Sequence, residues 1–192
     1  SDFWPYGGIF HYPTKKNFIN TYIDNIFKSK IISKSNKLPI LICTSYWTLE
    51  NLNLNLEKYL IKNAVKTYSF KEKKLSNKRM IKLGFISNNL NLKRKGLNEI
   101  IDILKIIRNF KIELLLYGNN SKTIFMNNKN VNIVEKGPFN KNKKKLVYNS
   151  FDILLCPSKF DNSPNVVTES ISSGTPVIGQ MNSGMNSYIN ND

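Results

Sequence analysis

The sequence predicts an α/β fold over residues 79–192, with a doubly wound parallel sheet that carries helices on both faces. Five short runs of Ile, Leu and Val are nearly continuous, as in strands that are buried on both sides. The stretches between these runs repeat apolar residues every three or four positions, which is typical of amphipathic helices. Because strand and helix patterns alternate along the chain, the strands are expected to pair in parallel.

The five apolar runs define the expected strands, which lie at 81–87, 112–117, 131–134, 152–156 and 176–179. A helix is expected over 97–107, because its apolar residues fall on one face with a period of 3.6. Shorter helices are expected over 146–151 and 166–172. Each helix separates two strands, so each is expected to cover a face of the sheet.

Residues 1–78 do not continue this pattern and are interpreted as a different part of the protein. Pro and Gly interrupt the first third of the chain, which is expected to be irregular up to residue 37. The predicted elements that follow are a strand at 38–44, a helix at 46–63 and a short strand at 65–70. The charged and polar stretch 71–78 is a natural linker, so the domain boundary is placed at 78/79.

The charge of the chain is strongly positive, with 29 Lys and Arg against 13 Asp and Glu and a formal charge of +16. Such a balance invites nucleic acid or an anionic membrane as a partner. Arginine occurs only at positions 79, 94 and 108, however, and abundant Lys, Asn and Ile are what an AT-rich genome favours. The densest basic run, 141–145, is interpreted as a solvated loop or helix start. Nucleic-acid binding is therefore disfavoured, and attraction to anionic lipid or a phosphate-bearing substrate is favoured.

Cysteine and histidine usage limits the redox and metal chemistry that the chain can perform. Cys43 and Cys156 each end an apolar run, so both are expected to be buried free thiols. With His11 as the one histidine, a zinc site is not expected. No stretch approaches the roughly 18 apolar residues that a membrane span requires. These features favour a reducing, cytoplasmic location.

The segment from 156 to 178 contains the clearest signals for a ligand site. Ser163 followed by Pro164 predicts a helix start, with Ser as the N-cap and Pro at the first helical position. Gly174 predicts the end of that helix. The helix N-terminus would lie just past the carboxyl end of a strand, where open α/β sheets bind ligands. Backbone amides of Asn165 and Val166 would there attract an anion.

Two carboxylates flank this helix start. Asp161 lies in the loop before the helix, and Glu169 follows it by eight positions, about one turn inside the helix. Carboxylates are good acceptors for pairs of sugar hydroxyls. Taken singly, Asp161 reads as a loop cap and Glu169 as a solvated helix residue. Beside the predicted anion site, the pair favours a ligand that carries both phosphate and sugar hydroxyls.

This segment resembles the donor-site signature of the retaining glycosyltransferases of family four, the group-one glycosyl transferases of GT-B fold. The signature is an acidic residue, seven residues, Glu, and then a small-residue segment with Gly-Thr-Pro-Val. Here it reads Asp161, Glu169 and 172–178, with Asp where the family often has Glu. The Lys-Gly that follows the first strand of the family corresponds to Lys95 and Gly96. Positions 2–12 resemble a segment of the branch that builds bacterial polysaccharides.

The resemblance implies a role for each residue of the signature. Glu169 would bind the ribose hydroxyls of a nucleotide-sugar donor, and Asp161 would contact the hydroxyls of the transferred sugar. Lys95 and the amides at Asn165 and Val166 would hold the diphosphate, which makes Asp161 and Lys95 the candidate catalytic residues. The base would lie near Gly118. The remaining expected donor-site residues are Arg94, Asn162 and Gly184. Neither a metal nor a cofactor is implied.

The sequence also departs from the family pattern. Many relatives carry an Arg about five residues before the Lys of Lys-Gly, where this chain has Leu90. Arg94 is expected to point elsewhere if its segment is extended, with Asn88 and Asn89 as substitute hydrogen-bond donors. Met185 stands where the family has a second Gly and is expected to crowd the sugar pocket.

His11 belongs to the part of the chain that would face the acceptor. By resemblance it is a candidate catalytic-region histidine, and among its Tyr and Phe neighbours it also reads as a packed side chain. The two readings stay open.

The resemblance implies that 1–78 is the tail of an acceptor domain and 79–192 most of a Rossmann-like donor domain. We expect a fragment of a longer protein, poorly active or inactive alone. The expected function is transfer of a sugar to a saccharide or lipid-linked acceptor, with retention and without a metal, during cell-surface polysaccharide synthesis. The alternatives are a GT-B sugar-nucleotide epimerase and a basic module that binds polyanions. The expected location is cytoplasmic, with peripheral contact at the inner membrane face.

Overall fold

A computed structural model of the chain describes residues 40–51, 57–66, 80–120, 124, 126–181 and 183–188. The expectations for His11, for the irregular first 37 residues and for the linker at 71–78 lie outside the described residues. Cys43 and Cys156 are both free and buried, as expected. Burial raises the pKa of the Cys156 thiol to about 11.

The described elements alternate between strand and helix through most of the chain. In chain order they are β1 (Leu41–Cys43), α1 (Tyr46–Asn51), β2 (Lys58–Leu60), β3 (Met80–Asn89), α2 (Leu97–Ile106), β4 (Lys111–Asn119), β5 (Val131–Glu135), α3 (Lys144–Asn149), β6 (Ile153–Cys156), α4 (Asn165–Ser172) and β7 (Val177–Gly179). Short 3-10 helices lie at Lys93–Lys95, Lys141–Lys143 and Gly184–Ser187. Within the described residues, no helix has both the length and the apolar character needed to cross a bilayer.

A five-stranded sheet organises the larger part of the structure. Its order is β5-β4-β3-β6-β7, and every neighbouring pair is parallel. The chain therefore runs outward from β3 to β5, crosses back and continues outward through β6 to β7. The reversal falls between β3 and β6, which is the position where sheets of this kind open a crevice for ligands. This confirms the predicted doubly wound sheet.

Side chains of β4 show why both faces of the sheet are covered. Leu114 and Leu116 pack with α2 in one apolar cluster, whereas Leu115 and Tyr117 pack with α3 in a second cluster. Successive strand residues point to opposite faces, so a continuous apolar run supplies both layers at once. The clusters hold the strand ends, and the loops that follow them, in fixed positions.

The helix predicted over 46–63 is wrong in its second half. The helix ends at Asn51, and Lys58–Leu60 forms a strand that pairs in parallel with Leu41–Cys43. Asparagine alternates with leucine just after the helix, and Asn is a poor helix former. Pairing of 58–60 with β1 satisfies backbone groups of both strands, whereas a helix continued through 58–60 would leave β1 without this partner. A strand is predicted at 65–70, but residues 65 and 66 are not in a strand. Residues 67–70 lie outside the described residues.

The small β1–β2 unit rests on the segment that follows β7. The Tyr46 amide donates to the Ser187 hydroxyl at 3.1 Å, and the Lys62 ammonium donates to the Ser187 carbonyl at 3.2 Å. Asn63, just beyond β2, donates to the Ser163 hydroxyl and to the Asn165 side chain at 3.3 and 3.1 Å. The unit therefore reaches the start of α4, at the edge of the crevice.

Gly118, near the end of β4, is a position where the fold requires glycine. Its φ is +156°, and an added Cβ would lie 1.9 Å from the Ser87 carbonyl oxygen on the neighbouring strand. We expect Gly118→Ala to lower the free energy of unfolding by at least about 2 kcal/mol, since backbone must shift to admit the methyl group. Urea unfolding followed by circular dichroism measures this.

Gly137→Ala is the matched control for that substitution. Gly137 also has a positive φ, +69°, but an added Cβ would meet no atom within 4 Å. Gly137→Ala is expected to lower the free energy of unfolding by only about 1 kcal/mol, which is the cost of the backbone strain alone. Equal losses in the two variants would show that the close approach of β3 and β4 at Gly118 does not matter.

Candidate active site

A cavity of about 540 Å³ opens at the carboxyl ends of β3 and β4, beside the point where the sheet order reverses. The end of β3 contributes Asn88, and the end of β4 contributes Gly118 and Asn119. The loops after β3, β5 and β6, together with α3 and the first two turns of α4, supply most of the remaining lining. The cavity therefore lies where the sequence predicts a ligand site.

The 3-10 helix Lys93–Lys95 places two cations at this cavity. Gly96 follows it with a φ of +83°, and an added Cβ there would lie 2.7 Å from the Pro157 carbonyl oxygen. The Lys159 amide donates to the Arg94 carbonyl at 2.9 Å. These contacts join the loop after β3 to the loop after β6, and so bring Lys95 beside Asp161 across 66 residues of sequence.

The Asp161 carboxylate is the centre of a cluster of donors. Its Oδ2 atom lies 2.5 Å from Lys95 Nζ and accepts a hydrogen bond from the Ser158 hydroxyl at 3.1 Å. Arg94 NH1 lies 4.0 Å from the same oxygen. The side chains of Asp161 and Lys95 are 16% and 18% exposed, so the pair is largely shielded from water yet lines the cavity. The contact with Lys95 and the hydrogen bond from Ser158 hold the carboxylate in one orientation.

Arg94 therefore corrects one expectation. Its segment is a 3-10 helix instead of an extended strand, so the guanidinium turns toward Asp161 and donates to the Phe160 carbonyl at 3.3 Å. Leu90, in the position of the family Arg, is buried in the apolar core. Asn88 lines the cavity, while the Asn89 side chain accepts from the amide of Asn91 at 2.9 Å.

Gly184 packs against the backbone of the loop that contains Asp161 and Asn162. The Gly184 amide donates to the Asp161 carbonyl at 2.8 Å, and an added Cβ would lie 1.6 Å from the Asn162 carbonyl oxygen. Asn162 is itself buried. Met185 does not crowd a sugar pocket, because it is buried against Cys156 and Val167. The donor-binding roles of Gly184 and Asn162 stay predictions.

Both carboxylate oxygens of Glu169 have partners on α3. Lys144 Nζ lies 2.5 Å from Oε1, and the Tyr148 hydroxyl donates to Oε2 at 2.8 Å. Lys144 and Tyr148 are four positions apart, so they share one face of α3. The basic run 141–145 does contain a helix start, at Lys144, but Lys144 itself is not a solvated residue, since its side chain is 27% exposed and pairs with Glu169. Its helical spacing to Tyr148 was the available signal, but the partner Glu169 is 25 positions away.

The start of α4 differs from the predicted cap. Pro164 occupies the N-cap position and the helix begins at Asn165, one residue later than expected. The Ser163 hydroxyl instead pairs with the Tyr188 hydroxyl at 2.7 Å. The Val167 amide is bonded to the Pro164 carbonyl at 3.0 Å. The Asn165 and Val166 amides are the first two of the helix, which lack intrahelical acceptors, and both residues line the cavity.

The charges around the cavity suit a dianion that carries hydroxyl groups. Four cationic side chains and two acidic ones stand among its described lining residues, a net formal charge of +2. The cations are Arg94, Lys95, Lys141 and Lys144. Asp161 precedes the α4 N-terminus in the chain and Glu169 follows it, and both carboxylates line the cavity. Phosphate between them would meet the helix amides, and hydroxyl groups on each side would meet a carboxylate.

Comparison with known protein families identifies the class to which this α/β domain belongs. The model of a family described as glycosyl transferases group 1 matches residues 81–192. The chain belongs to this family, and its Rossmann-like parallel sheet is that of the GT-B glycosyltransferases. A comparison with curated protein sequences gives no match.

Solved structures with a similar fold include three glycosyltransferase-type enzymes. Sucrose-phosphate synthase from Thermosynechococcus elongatus is 15% identical with a TM-score of 0.66, over 90% of this chain and 47% of that one. S. aureus TarM, in complex with fondaparinux, α-GlcNAc-glycerol and UDP, is 20% identical with a TM-score of 0.59, over 85% and 34%. The pneumococcal O-GlcNAc transferase GtfA, in complex with UDP and GlcNAc, is 16% identical with a TM-score of 0.53, over 82% and 33%. The chain thus spans less than half the length of each.

Proposed function

We propose that this chain carries the donor site of a retaining glycosyltransferase, which moves a sugar from a nucleotide-sugar donor to a saccharide or lipid-linked acceptor. One observation carries the proposal: Asp161 and Glu169, each paired with a lysine, flank the α4 N-terminus in a single cavity. That arrangement offers an anion site between two hydroxyl acceptors, which matches a sugar, a diphosphate and a ribose in sequence.

Each side chain has a proposed part in binding the donor. Glu169 accepts the ribose hydroxyls, and Asp161 contacts hydroxyls of the sugar that is transferred. Lys95 and the first amides of α4, at Asn165 and Val166, hold the diphosphate. The nucleobase lies near the end of β4, where Gly118 and Asn119 line the cavity. TarM and GtfA, which share the fold, were each solved with UDP.

In the proposed reaction, the bond between the sugar's anomeric carbon and the diphosphate oxygen breaks. The acceptor oxygen forms a bond to the same face of that carbon, and the acceptor's proton passes to the departing phosphate oxygen. The leaving nucleoside diphosphate gains negative charge, which Lys95, Arg94 and the α4 N-terminus are placed to stabilise. These cations make a metal ion unnecessary for that step in our proposal.

The assignment of domains belongs to the same proposal. Residues 79–192 would be the donor domain, and residues 1–78 would supply part of an acceptor domain, with His11 on the acceptor side. Asn63 already contacts Ser163 and Asn165 from that first part. We propose that the protein works at the cytoplasmic face of the membrane in cell-surface polysaccharide synthesis, where its charge of +16 favours contact with anionic lipid.

Calorimetric titration of the 192-residue chain with UDP, GDP and ADP tests the donor site. We expect one of the three to bind with a stoichiometry of one and a much higher affinity than its 2′-deoxy form. A basic polyanion-binding module would instead bind polynucleotide tightly, with an affinity that falls steeply as salt rises, and would show no preference among nucleotides. Absence of nucleoside diphosphate binding would contradict the proposal.

A further inference from the structure

The proposed roles leave two cavity cations unused, Lys141 and Lys144, and of these Lys144 contacts Glu169. Its ammonium lies 2.5 Å from Glu169 Oε1, and its side chain is 27% exposed at the cavity wall. The other oxygen, Oε2, accepts from the hydroxyl of Tyr148, which is fully buried. Glu169 is thus held by one fixed donor and by one on a flexible stem.

A ribose on Glu169 would compete with Lys144. The two hydroxyls of a ribose are best bound by both oxygens of one carboxylate, and the ammonium already occupies the side of Oε1. Tyr148 is anchored in the core, so it is the less able of the two donors to move away. Lys144 has four methylene groups and reaches the cavity from its exposed side, so it is the group that can exchange partners.

An anionic partner lies within reach for the displaced ammonium. The Cα atom of Glu169, which the ammonium contacts through Oε1, lies about 6 Å along the helix from that of Asn165 at the α4 N-terminus, and both residues line the cavity. A diphosphate at that N-terminus would carry about two negative charges, and the cavity reaches its net +2 only when Lys144 is counted.

On the basis of the proposed function, we propose that Lys144 exchanges partners when the donor binds. The Lys144 ammonium leaves Glu169, which then accepts from the ribose hydroxyls, and it binds a diphosphate oxygen instead. Its contribution to binding therefore depends on a phosphate group next to the ribose. Lys144 is then a specificity residue that favours nucleoside diphosphates over nucleosides. A lysine that only oriented Glu169 would affect both ligands equally.

The test compares two variants with the same change of charge on α3. Lys144→Met removes the cavity ammonium, and Lys145→Met removes the exposed ammonium next to it in sequence. For each, calorimetry measures the nucleoside diphosphate that the wild-type chain binds best among UDP, GDP and ADP, and then the corresponding nucleoside. Thermal melting checks that both variants are folded.

We expect Lys144→Met to weaken nucleoside diphosphate binding by about tenfold or more, which is the effect of losing a charged hydrogen bond. The affinity of the variant for the nucleoside should be higher than that of the wild-type chain or within about twofold of it. Lys145→Met should change neither. Equal losses for both ligands, no loss for either, or a loss for the nucleoside alone would overturn the inference. If the wild-type chain binds no nucleoside diphosphate, the proposed function fails instead, so the two failures are distinguishable.

Discussion

Replacing Glu169 by alanine should weaken binding of the nucleoside diphosphate by about 100-fold or more. The substitution removes the carboxylate that would accept from the ribose hydroxyls in the proposed complex, so those hydroxyls would find no acceptor there. Polar groups that lose a partner inside a shielded site cost binding energy. Calorimetric titration against the wild-type chain measures the loss.

The control for this substitution is Glu99→Ala. Glu99 is also a helical glutamate in an ion pair, with Lys159 at 2.6 Å, but its side chain is 43% exposed and lies outside the cavity. The Lys159 ammonium lowers the pKa of Glu99, so Glu99 is ionised at neutral pH. Glu99→Ala should leave nucleotide affinity unchanged.

Discrimination against the 2′-deoxy nucleotide gives a second readout on Glu169. The wild-type chain should prefer the ribose form, and Glu169→Ala should bind both forms equally weakly, because the acceptor of the hydroxyl has gone. An unchanged preference in the variant would mean that another group recognises the ribose. Polynucleotide binding that survives in the variant while nucleotide binding does not would separate the donor site from the general basic charge.

Replacing Lys95 by methionine should lower kcat by about 100-fold to 1,000-fold with a smaller change in donor affinity. Lys95 is placed to stabilise charge that grows on the leaving diphosphate, so its contribution is largest in the transition state. Its loss also leaves Asp161 with Ser158 and the more distant Arg94 as neighbours. Initial rates of nucleotide release by the protein that contains this chain measure the effect.

Lys93→Met serves as the matched control, because Lys93 belongs to the same 3-10 helix and is exposed. It should retain wild-type turnover. A cycle with Asp161→Asn should show that the effects of Lys95→Met and Asp161→Asn do not add, as expected for side chains in direct contact. Wild-type turnover in Lys95→Met would remove Lys95 from the catalytic group.

The sheet could be predicted from sequence because its signals are local. The runs at 112–117 and 131–134 are short and mostly apolar, each interrupted by one polar residue, and each appears in the structure as a strand. The helix over 46–63 failed for a non-local reason, since the pairing of β2 with β1 outweighs leucines at helical spacing. The order β5-β4-β3-β6-β7 likewise depends on contacts that the sequence does not display.

The same distinction holds in the site. Asp161 and Glu169 are eight positions apart around one helix start, so the sequence alone indicates that the two residues belong to one site. Lys95 became a candidate only through the family resemblance, because it meets Asp161 across 66 residues. Lys144 was missed, since its spacing of four from Tyr148 does not reveal the partner Glu169, which only the meeting of α3 and α4 brings to it.

Nucleotide release over a panel of UDP-, GDP- and ADP-sugars is the decisive measurement for the proposed sugar transfer. We expect the protein that contains this chain to release nucleotide from one donor class, and only when a saccharide or lipid-linked acceptor is present. We also expect proton NMR to find the donor's anomeric configuration in the product. No turnover with any donor of the panel, or turnover that Glu169→Ala leaves unchanged, would contradict the proposal.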